Sequence, residues 1–180
     1  MTLLCLRVTG DAHGKARQEL DDLFYDALKD IYYAENKIVK ALAKMAKAAQ
    51  SKDLQKAFEK HKRETEGQVH RLERVFGAIE RPAKGRICDA IEGMVDESLE
   101  VMTNFKGSPA LDAGLLAAAQ AVEHYEISRY GTLKAWAEHL GLQDAAKLLD
   151  QTLKEEKKTD QALTKLAESA LNEQAQQAAE

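Results

Sequence analysis

The chain has 180 residues, 44% of them hydrophobic and 31% charged, with a formal net charge of −4. That length suits one domain with a substantial core and is short for two. The acidic balance and the lack of a long basic run exclude an electrostatic footprint for nucleic acid or anionic lipid, and no apolar run reaches the roughly 20 residues of a membrane span.

The residues in chain order read as helix almost throughout, with only two prolines, Pro82 and Pro109. Residues 1–10 are apolar but too short for a secretory signal and lack a cleavage pattern. Residues 1–16 are expected to form a flexible N-terminal extension, 17–171 the folded domain and 172–180 a frayed tail. A first helix over about 18–49 carries an inward stripe of Leu20, Leu23, Phe24, Ala27, Ile31, Ile38, Leu42 and Met45. Ser51 or Asp53 then offers an N-cap for a second, with Leu54, Phe58, Leu72, Val75 and Phe76 inward. After the 77–85 break comes a shorter helix over about 87–104, with Ile87, Ile91, Met94, Val95 and Met102 inward. Lys106-Gly107-Ser108-Pro109 precedes a third long helix bearing Leu115, Ala119, Val122, Leu133 and Trp136. Gly141 marks its C-terminal turn, and Ala145, Leu148, Leu149, Thr152 and Leu163 stripe the last helix. Two short antiparallel hairpins joined by a crossover with its own helix make an all-α, four-helix bundle with an additional helix in the crossover. Cys5 and Cys88 lie far apart without metal-type spacing, which points to a reducing, cytoplasmic setting.

Against this apolar pattern, four acids stand out, one on each long helix: Glu35, Glu64, Glu126 and Glu156. Helix-wheel positions put Glu126 and Glu156 about 20° from the centre of their apolar faces, Glu35 about 60° off and Glu64 about 80° off. Glu123 lies near the edge at about 80° and can swing inward. Glu35 and Glu64 are roughly symmetric about Gln50, and Glu126 and Glu156 about Gly141, so each hairpin sets its pair at one height. Ile31, Glu35 and Leu42 also match Val122, Glu126 and Leu133 at one constant offset, as if the hairpins were copies of one unit. Buried carboxylates must be paired, protonated or bound to a cation. The chemical reading is two cations bridged by carboxylates, with iron or manganese preferred by an oxygen-rich shell. The bland reading has these acids reaching solvent or pairing with Arg129 and His61. His61, one turn before Glu64, is a ligand or a hydrogen-bond partner, and Asp160, four residues after Glu156, a ligand or an orienting group. His124 and His70 point outward. Tyr130 falls nearest the inward face among the tyrosines, placed to pack with a tethered hydroxyl.

The strings Leu23-Phe24-Tyr25-Asp26-Ala27-Leu28-Lys29-Asp30-Ile31-Tyr32-Tyr33-Ala34-Glu35 and Ala121-Val122-Glu123-His124-Tyr125-Glu126-Ile127-Ser128-Arg129-Tyr130 resemble the YciF/YciE-like branch of the ferritin-like superfamily. His61 to Thr65, Arg71-Leu72-Glu73 and Glu155-Glu156-Lys157 support the likeness, which runs from about residue 19 to 170. The resemblance implies a ferritin-like bundle with a rubrerythrin-type di-metal centre, usually a homodimer, in proteins linked to stress responses. It assigns Glu35, Glu64, Glu126 and Glu156 as metal ligands, with Glu123 as an extra carboxylate. The Glu-x-x-His of ferritins and rubrerythrins is missing: Gly67 and Thr159 stand where each His would be. Three functions follow as expectations: a di-iron or di-manganese redox protein acting on peroxide or O2, a protein that oxidises and passes on Fe(II), and a non-enzymatic dimeric stress-response scaffold.

Overall fold

The computed structural model describes residues 19–168 and Asn172, so the expectations for 1–16 and for most of 172–180 lie outside the described residues. Five helices occur among them: α1 (Leu20–Ala48), α2 (Lys52–Ala78), α3 (Asp89–Asn104), α4 (Leu111–His139) and α5 (Gln143–Leu166). The fold is the expected all-α, ferritin-like type of bundle.

Local chemistry sets the boundaries. At the start of α1 the Glu19 N–H donates to Asp22 Oδ2 at 3.3 Å, and Asp21 and Asp22 complement the positive end of the helix dipole. Ser51 caps α2 by accepting from the Leu54 N–H. The turn between these helices is fastened from afar. Asp112, buried in the first turn of α4, accepts from the backbone N–H groups of Gln50 at 2.8 Å and Ser51 at 2.6 Å. Gly141, at φ +76°, makes the tight α4–α5 turn that a Cβ would strain.

The hairpins α1–α2 and α4–α5 pack side by side, α1 against α4 and α2 against α5, while α3 lies across α1 and α4. Phe24, Leu28, Ile31, Phe58, Leu72, Leu115, Leu133 and Leu149 fill the interior. Arg71 ties α2 to α5 by donating to both oxygens of Glu155, at 2.7 and 2.9 Å, and to Thr152 at 2.7 Å. The crossover is pinned to α1 by Arg86, which donates to both Asp30 oxygens and to Asp26. Gly114 lets α3 and α4 approach closely, since a Cβ there would sit 2.7 Å from Val101.

Two of the stripes need correction. Leu23 is 53% exposed, because no described residue packs on that side of the first turn of α1. Ile87 is 69% exposed, since it lies in the extended crossover and α3 begins only at Asp89.

Candidate metal centre

α4 and α5 each bring acids inward at the middle of the bundle. Glu35, Glu126 and Glu156 are completely buried and Glu123 nearly so. From α2, His61 joins them. One ligand atom from each of His61, Glu123, Glu126 and Glu156 lies within 4.8 Å of all the others. The His61 ring Nδ1 stands 3.0 Å from Glu123 Oε1, and the Tyr130 hydroxyl donates to Glu35 Oε1. Little else satisfies the cluster. Both oxygens of Glu126, both of Glu156, and the second oxygens of Glu35 and Glu123 are buried without a hydrogen-bond donor. Glu126 and Glu35 do approach one another, as do Glu123 and Glu156, but such contacts bring acceptor to acceptor unless one carboxyl holds a proton.

The electrostatics follow from this crowding. Burial, then the charge of neighbouring acids, pushes Glu35, Glu126 and Glu156 well above the usual carboxylate range; the neighbour acting most strongly is Glu156 for Glu35, Glu35 for Glu126 and Glu123 for Glu156. Burial raises Glu123 to about 8. Burial also drives His61 below its ordinary value, so its imidazole is kept neutral and available to a metal. Tyr130 is pushed up by burial and by Glu35, which keeps its hydroxyl a proton donor. Without a cation, protons retained by the acids neutralise much of the charge.

Six of the seven expected site residues fall at or beside the cluster, in unequal roles. Glu35, Glu123, Glu126, Glu156 and His61 are inside. Asp160 sits at the rim, 21% exposed, with Oδ1 3.2 Å from His124 Nε2 but not aligned to accept a hydrogen bond from it. Glu64 stays outside the buried cluster, its side chain 38% exposed and paired with Lys60 at 3.0 Å, but close enough for its charge to act on His61 and Glu123. His124 faces outward as expected.

Thr65, fully buried one turn after His61 on α2, was not foreseen from the sequence. The constant offset that maps Glu35 onto Glu126 also maps Thr65 onto Glu156, so carrying the repeat into α2 would have found it. Where the α4–α5 hairpin offers two central acids, α1–α2 offers Glu35 and a hydroxyl already donated to the His61 carbonyl. Gln68, one turn on, is buried too, its amide oxygen without a donor.

Comparison with known proteins bears on this arrangement. The chain is 44% identical over 158 residues to Protein YciF of Escherichia coli (strain K12), covering 87% of this chain and 95% of that protein. The crystal structure of the E. coli stress protein YciF matches with a TM-score of 0.82 at 44% identity, over 86% of this chain and 98% of that one. YcfI from Rhodopseudomonas palustris, put forward as a structural protein, matches with a TM-score of 0.78 at 44% identity, over 82% and 94% of the two chains. A protein of Xanthomonas campestris pv. campestris, 21% identical over 89% and 99%, shares the fold alone, with a TM-score of 0.67. Residues 19–176 match the family described as "Domain of unknown function (DUF892)", and the chain belongs to that family.

Proposed function

We propose that this chain is a carboxylate-rich metal protein that takes two iron ions, or two manganese ions, for redox chemistry with peroxide, dioxygen or Fe(II) under stress. The observation that carries this reading is the convergence of His61, Glu123, Glu126 and Glu156 to within 4.8 Å inside a bundle core. Buried carboxylate oxygens without donors are costly on their own, and divalent cations would satisfy charge and lone pairs together. The donor set of four carboxylates and one imidazole suits iron or manganese better than zinc or copper.

His61, Glu123, Glu126 and Glu156 would hold one ion. Glu35 and Glu126 would help hold a second, with fewer ligands. A redox metal bound there supplies the electrons exchanged with the oxidant. The protein side of the chemistry belongs to named groups. Glu123 orients the His61 ring, and Tyr130 orients Glu35 while holding a proton at its hydroxyl. Leu28, Ile31, Leu133 and Leu149 keep bulk water out. Protons held by the acids leave as a cation enters.

The link to stress leans on the description of E. coli YciF as a stress protein. A cytoplasmic homodimer is part of the proposal. Exposed Leu23 on α1 and Ile87 on the crossover, which Arg86 anchors to Asp26 and Asp30 of α1, offer apolar surface for a second copy. No helix among the described residues is long and apolar enough to cross a membrane. A second reading, a scaffold without redox activity, is favoured by Thr65 in the place of an acid and by the description of YcfI.

The deciding experiment is metal analysis of protein loaded with Fe(II) or Mn(II), followed by optical spectra after addition of peroxide. One to two equivalents and a spectral change on oxidation are expected. Binding below about half an equivalent would leave only the scaffold.

A further inference from the structure

A divalent cation bound for the buried centre must cross the wall of the bundle, and that wall differs in charge from side to side. Toward α3 it is largely apolar, built by Ile38, Met45, Met94, Val95 and Val122, with little to draw an ion out of water. Between α2 and α5 the Arg71 guanidinium spans the seam, held by Glu155 and Thr152, so a cation arriving there meets positive charge.

The seam between α4 and α5 is different. One antiparallel register runs along it: Lys134 reaches Asp150 at 2.8 Å, His124 Nε2 stands 3.2 Å from Asp160 Oδ1, and Gln120 donates to Thr164 at 2.9 Å. Asp160 therefore lies one turn beyond buried Glu156 on α5, beside the turn of α4 that carries Glu123. Its side chain is 21% exposed, yet Oδ1 is sealed from solvent and has no hydrogen-bond donor. Further in, Glu123 is 1% exposed and its Oε2 lacks a donor too. Asp160, and then Glu64 of α2, supply the charges that bear on Glu123 from outside the cluster. Unpartnered carboxylate oxygens thus stand in succession from rim to centre. They cannot satisfy each other, since both accept, and each is costly to bury alone.

We propose that Asp160 is the gateway carboxylate of the centre: it takes a divalent cation from water at the α4–α5 seam, beside the His124 ring, and passes it inward to Glu123. Resting on the metal reading above, this route supplies the same site. Asp160 and His124 offer an ion only two side-chain donors, which suits transit rather than retention. A negative mouth also concentrates cations and speeds their capture, an effect that salt screens.

Stopped-flow mixing of metal-free, full-length protein with Co(II), followed by the visible absorption of the bound ion, tests the route. Asp160→Asn should slow association about tenfold, and slow release into excess chelator by a like factor. Affinity should stay within about threefold and the final spectrum should not change, because a route alters both rates together whereas a ligand alters affinity and spectrum. Added salt should slow the wild-type protein more than the variant. Asp160→Glu, which keeps the charge, should restore most of the rate. Unchanged association in Asp160→Asn would overturn the route. So would weakened affinity with an altered spectrum, which would make Asp160 a ligand of the bound ion. Wild-type protein that takes up no Co(II) would sink the metal reading and the route with it, so the two failures are told apart.

Discussion

Glu126→Gln should change sign with metal. Glu126 is completely buried, neither oxygen has a donor, and its nearest polar neighbours are themselves acids. Burial raises its folded pKa well above the ordinary 4.5. The folded protein therefore holds a proton that the unfolded chain has released above that pH. Stability from this group is fully present below about pH 4.5 and is lost as pH rises toward the folded pKa, at up to about 1.4 kcal/mol per pH unit. Keeping Glu126 neutral in metal-free protein therefore costs little near pH 5 and more at pH 7. Glutamine has the same shape and no such cost, and its amide N–H groups find acceptors in Glu35 and Glu156. Metal-free Glu126→Gln should thus be more stable by about 1–3 kcal/mol at pH 7, raising Tm by roughly 2–4 °C per kcal/mol for a chain of this size. At pH 5 the gain should nearly vanish. With Fe(II) or Mn(II) present, the lost carboxylate ligand should lower metal affinity at least about tenfold and make the variant the less stable protein. Thermal and urea denaturation at both pH values, with chelator and with metal, measure all four cases. A variant destabilised without metal at pH 7, or an equal gain at both pH values, would refute the charge argument.

Three further outcomes follow from the same geometry. Glu156→Gln should weaken metal binding about as much as Glu126→Gln, while Glu64→Gln, which removes a half-exposed partner of Lys60, should change the titration midpoint by less than about twofold. Thr65→Glu restores the acid that the hairpin repeat would put opposite Glu35. It should lower metal-free stability by about 1–3 kcal/mol and tighten the second metal equivalent in calorimetry; an unchanged second equivalent would show that Thr65 does not limit the site. Asp112→Ala strips the acceptor from the Gln50 and Ser51 N–H groups and should cost about 2–4 kcal/mol by urea denaturation, with metal stoichiometry unchanged.

The bundle was legible because helix periodicity and its breaks are local properties, and Gly107, Pro109 and Gly141 fall where the chain turns. Glu126 and Glu156 were legible for the same reason, since an acid at the centre of an apolar stripe has nowhere to go but inward. The flanks were not, and two acids show why. Glu64 and Glu123 both stand about 80° from the centre of their faces, yet one is half-exposed and the other nearly sealed. Angle is written in the sequence, whereas the number of helices around that angle is not. Among the described residues α2 packs chiefly against α1 and α5, so its flank stays open and Glu64 finds Lys60. α4 packs against α1, α5 and the crossover helix α3, so the flank bearing Glu123 is covered. The crossover therefore does more than connect the hairpins. By covering α4, it turns a marginal acid into a buried one facing His61, and so gives the α4–α5 hairpin three of the four converging side chains. An imidazole one turn back on α2 becomes useful for the same reason, and the centre becomes lopsided, rich in donors beneath α3 and poor at Thr65.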